Sequence, residues 1–203
     1  VYLFERAGDA RGRVGALANL VFLYACTRQV QEARESAETA LDLARRFGFR
    51  FLEASVLENL AVAEAVAGDY AQAIEIAESS LELRAGSESE VWSSKTLADL
   101  AIWYGALGNL PAARDKVGRL LADEDAIMRA TDWPSYCYWA AAQIFHLDGE
   151  SAKATRARES ARRLMQTTAE QLEAEDREHF LALPWHVDLM QAVTKNLWPN
   201  PPR

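Results

Sequence analysis

The chain has 203 residues, half of them hydrophobic, and carries 30 acidic against 22 basic side chains for a net charge of −8. That balance argues against nucleic acid as a direct partner, because phosphate binding needs a concentrated basic surface. No run approaches the length of a membrane span and no signal peptide is visible, so the expected setting is cytoplasmic and away from membranes.

Val1 to Arg6 lacks an initiator Met, and Ala7-Gly8-Asp9 aligns with Phe47-Gly48-Phe49, a turn that follows a helix. The chain is therefore expected to open in the last turn of a preceding repeat, residues 1–9, as a fragment of a longer protein; cleavage of a leader is the alternative. A first repeat is expected over residues 10–47, with a corner at Thr27-Arg28-Gln29 that lacks glycine. The second, residues 48–86, shows the pattern most plainly. Leu57, Leu60, Ala61 and Glu64 share one helical face, and Tyr70, Ala73, Ile74, Ala77 and Leu81 share the next. Gly68 suits the left-handed position that ends a helix, while Asp69, with Gln72 three residues on, can cap the following one.

Ala85-Gly86-Ser87-Glu88-Ser89 is a polar break. A third repeat is expected over residues 87–125, with Gly108-Asn109 as its corner. Its Pro111 falls in a first helical turn, where a missing N–H costs nothing. Asp123 to Pro134 reads as a longer connection. A fourth repeat, residues 130–169, opens on Tyr136, Tyr138 and Trp139 and has a more polar second helix. Its basic cluster, Lys153, Arg156, Arg158, Arg162 and Arg163, reads as a solvated face. Residues 170–203 hold an acidic stretch from Glu170 to Glu178, a closing helix over about Trp185 to Leu197, and Pro199, Pro201 and Pro202, which end all structure. Phe180, Leu181 and Trp185 are too apolar to stay in water, so they are expected to fold back on the fourth repeat as a cap.

The hairpins recur at fixed offsets. Leu57, Asn59, Leu60, Ala73, Ala77 and Leu81 return 40 residues earlier as Leu17, Asn19, Leu20, Ala33, Ala37 and Leu41. Leu57, Leu60, Ala61, Gly68, Ala73 and Leu81 return 40 later as Leu97, Leu100, Ala101, Gly108, Ala113 and Leu121, and Ala142, Gly149 and Ala154 follow at 41. Repetition at this period predicts an all-α helical solenoid in which each hairpin buries its face on the next, one elongated domain over residues 1–203.

Asn59-Leu60-Ala61, Gly68-Asp69-Tyr70, Ala73, Ala77 and Leu81 resemble the tetratricopeptide (TPR) repeat, in the long variety of about 40 residues rather than the usual ~34. The resemblance implies a right-handed α-solenoid of helical hairpins with a C-terminal capping helix. Arg177, Phe180, Leu181 and Pro184 resemble the R-x-x-F-L-x-x-P segment that closes TPR arrays at the C-termini of bacterial STAND-type ATPases, SARP-like activators and TPR-fused nucleotide cyclases or kinases. Trp185-His186 departs from the polar residues expected after it. In those families the effector lies upstream, and the array is a sensing or docking surface.

Enzymatic motifs are absent: there is no phosphate loop, no nucleophile elbow and no H-E-x-x-H. No metal or cofactor is expected. His179 and His186 read as partly buried packing residues, and Cys26 and Cys137 as small buried apolar ones in a reducing compartment. Trp133, Tyr136, Tyr138 and Trp139 read either as core or as an aromatic cage. The remaining surface is the groove that the resemblance places along the first helix of each pair. Its lining would be Phe22 and Cys26, then Glu58, Val62 and Val66, then Lys95 and Ile102, and lastly Tyr136, Trp139, Gln143 and His146. Ala18, Ala25, Ala65, Ala98 and Ala106 would lie between them, unless the next helix covers some of these positions. The expected function is a non-catalytic scaffold that binds a protein or peptide, the upstream domains of the same polypeptide included. The alternative is a small-molecule sensor with an apolar pocket near Trp139.

Overall fold

The computed structural model describes residues 1–130 and 133–199. Among the described residues there are twelve α-helices, one 3₁₀ segment and no strand, so the fold class is all-α. Contacts divide the chain into two units, Val1–Thr96 and Leu97–Arg203.

The first unit begins with α1 (Tyr2–Ala7) and continues with α2 (Ala10–Cys26), α3 (Val30–Phe47), α4 (Arg50–Ala67) and α5 (Tyr70–Arg84). Helices α2 and α3 form one hairpin and α4 and α5 the next, and α4 also packs on both helices of the first. Small residues make this possible. Ala33, Ala37, Ala40 and Ala44 of α3 and Ala61, Ala73 and Ala77 of the second hairpin are fully buried, so the helix axes approach closely while Val14, Val21 and Val56 fill the space between. Gly68 turns the second corner at φ 90°, and the Asp69 carboxylate accepts the Gln72 N–H at 3.0 Å. At the first corner Arg28 takes the same left-handed role at φ 59°.

The polar break after α5 is organised by one side chain. Arg84 is buried; its guanidinium donates to Glu58 at 2.9 Å and to the Trp92 carbonyl, fixing a 3₁₀ segment over Glu88–Ser93. Helix α6 (Ser94–Ala106) follows.

The second unit comprises the rest of α6, then α7 (Leu110–Leu121), α8 (Glu124–Ala130), α9 (Pro134–Leu147), α10 (Ser151–Glu170), α11 (Ala174–Leu181) and α12 (Pro184–Lys195). Its core joins Ala101 of α6, Ala113 and Val117 of α7, Trp139 and Ile144 of α9, Ala161 and Met165 of α10, and Leu189 of α12. Arg177, Phe180 and Pro184 of the closing motif each have a structural task. Arg177 donates to the Ala169 carbonyl in the last turn of α10 and to the Leu172 carbonyl just past it, both at 2.8 Å, tying α11 to the end of α10. The Phe180 carbonyl receives the His186 ring, and Pro184 starts α12, where no N–H is needed.

The longer connection from Asp123 to Pro134 contains α8. Glu124 and Asp125 occupy its first turn, where carboxylates favour a helix N-terminus, and Ile127 anchors it by full burial. The acidic stretch likewise contains α11, with Glu175 and Asp176 in its first turn. Other expectations need correction. Cys26, expected to be buried, is exposed at the end of α2, while Cys137 is buried. His179, expected to be partly buried, is exposed on α11. Phe180 and Trp185 pack against the core of the second unit, but Leu181 remains exposed, so two of the three apolar tail residues close the fold. Pro201 and Pro202 lie outside the described residues.

Candidate functional site

In the first unit the candidate groove residues other than Lys95 belong to α2 and α4, which pack side by side; the Asn59 amide donates to the Ala18 carbonyl at 2.9 Å across that contact. One turn beyond, Phe22 and Val62 are half-buried, and Val66 continues the apolar positions along α4. Ala18 and Ala25 are buried, so these two positions are covered and lend the surface no area. Glu58 is half-buried and its charge is already matched by Arg84. Lys95 is half-buried. Desolvation pushes the Cys26 thiol above its ordinary value, against the opposing pull of the Lys95 charge, so it is not an activated thiolate.

A second feature of this unit is an ion pair that the repeat pattern does not announce. Glu64 is buried and accepts from Arg34 Nε and Nη2, at 2.8 and 2.6 Å. With Leu41, Asp42, Arg45 and Leu60 the pair borders an open depression of about 460 Å³.

In the second unit one residue of the aromatic burst is interior and the others are half-buried. Trp139 is only 1% exposed, whereas Tyr136 and Gln143 are half-buried and His146 is exposed. Tyr136 donates its hydroxyl to Asp99 at 2.7 Å and meets Trp185 edge-on at 5.5 Å. Burial, then the Asp99 charge and hydrogen bond, hold the Tyr136 hydroxyl protonated well above its usual range. Asp99 stands 40 residues after Asn59, so the repeat offset marked a polar group here although no reading assigned it a partner.

What lies on this face is the segment that follows α12. The Trp198 ring stacks on His146 at 4.1 Å between centroids and 6° between planes, and on Trp139 at 5.5 Å and 18°. Arg158 sits over the same ring at 5.3 Å. Beside it Pro199 closes on Ile102, Ala106, Gln143 and Leu147, leaving a space of about 10 Å³, room for one water at most. Four of the candidate groove residues, Ile102, Trp139, Gln143 and His146, are thus brought together, and by a segment that no motif had singled out. A further open depression of about 560 Å³ lies between α10 and α11–α12, bordered by Met165, Leu181, Val187 and Met190.

Among the described residues no three His, Cys, Asp or Glu side chains converge as metal ligands, and no helix is long and apolar enough to cross a membrane. The family model described as the tetratricopeptide repeat matches residues 13–86 and again, overlapping, 52–122, together more than half of the chain. No curated protein matches it.

Proposed function

We propose, from the premise that this chain belongs to the tetratricopeptide repeat family, that it is a non-catalytic scaffold that binds a protein or peptide within a larger bacterial signalling or transcriptional regulator of the cytoplasm. Arrays of these repeats are generally protein-interaction scaffolds. The observation that carries the reading here is the set of half-buried apolar side chains, Phe22, Val62 and Val66, on two first helices packed side by side. The charge among them, Glu58, is taken up by Arg84 and is not offered to a ligand. Such a surface suits an amphipathic helix or an extended apolar peptide better than a charged chain end. Burial should dominate its affinity, so salt should weaken binding little.

The test is to capture partners from the source cell with the wild-type chain, a Phe22→Glu, Val62→Glu double variant and, separately, Ile102→Glu. Circular dichroism first confirms that each variant folds. Loss of partners with the first variant supports the first-unit surface, and loss with Ile102→Glu supports the second. Folded variants that retain every partner, or binding that collapses on a modest rise in salt, overturn the reading.

A further inference from the structure

The face formed by α6 and α9 in the second unit already holds a peptide, and that peptide is the chain's own segment after α12. Helix α12 finishes at Lys195, and Asn196, at φ 52°, turns the chain out of it. Among non-glycine residues asparagine tolerates this left-handed geometry best. Leu197 then points to solvent, 55% exposed, and Trp198 lands on His146 and Trp139.

The manner of attachment is informative. The Trp198 indole N–H donates to Asn196, two residues back, and not to α6 or α9. Leu197 donates its N–H to the Gln191 carbonyl at 3.3 Å, again within the tail and α12. Arg158 holds the segment from the side, donating to the Ala192 carbonyl and to the Asn196 side chain while covering the Trp198 ring. Contact with the face itself is therefore made by flat surfaces: an indole on an imidazole and a second indole, and a proline against Ile102, Ala106 and Leu147. Ring stacking of this kind tolerates exchange of one ligand for another of the same shape, because no directed hydrogen bond to the face has to be remade.

We propose that the α6/α9 face is a receptor for an aromatic–proline peptide, and that residues 196–199 are its built-in competitor, which a partner presenting the same Trp-Pro chemistry displaces. This rests on the scaffold reading above and deepens it for one surface. The same occupancy accounts for the small space left between Pro199 and the face. A tail joined to its site by so short a connection acts at an effective concentration in the millimolar range. A free peptide therefore meets strong competition in the intact chain and little once the anchoring ring is removed.

The experiment uses the full chain and a fluorescein-labelled peptide of residues 195–203, read by anisotropy. The Trp198→Ala chain should bind the peptide at least tenfold more tightly than wild type. A peptide with alanine in place of its tryptophan should bind neither, and adding Ile102→Glu to Trp198→Ala should abolish binding. If Trp198→Ala fails to fold by circular dichroism, Trp198→Leu keeps apolar cover without the flat ring and is read in the same way. Equal binding by wild type and the folded variant, no binding by the folded variant, or equal binding of the alanine peptide would each overturn the proposal. Should that happen while Phe22→Glu, Val62→Glu still loses partners, the scaffold reading stands and only the displaceable tail falls.

Discussion

Truncating Leu189 to alanine tests whether the closing helix is part of the fold or merely follows it. Leu189 is fully buried in the cluster that contains Ala157, Ala161 and Met165 of α10. The substitution removes three buried carbons, worth about 2.4 kcal/mol at about 0.8 each. Neighbours that cannot collapse into the space add a cavity cost, so the expected loss is about 2.5–5 kcal/mol. Val187, on the same helix but 40% exposed, provides the control: its truncation should cost about 1 kcal/mol or less. Urea denaturation followed by circular dichroism measures both. Because stability in a repeat array is approximately a sum of unit and neighbour terms, the damage should fall first on the end of the chain. Hydrogen exchange should accordingly quicken most at the amides of α12 and the second half of α10. Equal and small losses for both variants, or exchange unchanged in α10, would show that α12 is not docked as described and refute the reasoning.

Two further outcomes follow from particular backbone and ring positions. Arg28 sits at φ 59° at the corner where the next repeat has Gly68, so Arg28→Gly should remove a strain of about 1–2 kcal/mol, partly offset by the greater freedom of glycine in the unfolded chain. A net gain of about 0.5–1 kcal/mol in urea is expected, and a loss would show that Arg28 makes a contact worth more than its strain. His186 is fully buried, its Nδ1 bonds the Phe180 carbonyl at 2.6 Å, its Nε2 has no partner, and burial lowers its pKa. Above the ordinary histidine value of about 6.5 it is neutral folded or unfolded; below that, the unfolded chain takes up a proton that the folded one resists. Stability should therefore be intact above about pH 6.5, fall as the pH drops below it, and level off once the folded-state pKa is passed. The urea midpoint should drop between pH 7.5 and 5.5 in wild type and change less in His186→Gln; equal changes in both would assign the effect elsewhere.

The parts of the fold that could be read in advance are those encoded locally and repeatedly. Ala33, Ala73 and Ala113 recur at one offset because each must let two helix axes meet, and all three are fully buried. The Gly68-Asp69 corner and the Pro111 helix start follow from backbone geometry that few residues satisfy. Helix α8 escaped notice because its seven residues are too few to display an apolar period, although Glu124, Asp125 and the buried Ile127 give it both an electrostatic start and an anchor. A cysteine in a helical pattern is equally consistent with a buried site and with the exposed last position of α2 that Cys26 occupies.

The candidate surface was legible in a different degree. The repeat offset identifies equivalent positions on the first helices, but it carries no information about what covers them. Trp139 and Trp198 are 59 residues apart, share no repeat register, and come together because α12 and the turn at Asn196 carry the chain end back to α9. A lone tryptophan between an asparagine-capped helix end and a proline has no local signature of its destination. Its role follows from the ring already waiting there: His146 and Trp139 lie seven residues apart, two turns of one helix, which sets them on one side of α9 as a platform for a single flat side chain. The chain's own Trp198 fills that platform, so the chemistry of an external ligand for it is written in the sequence after all, in the tail that must leave first.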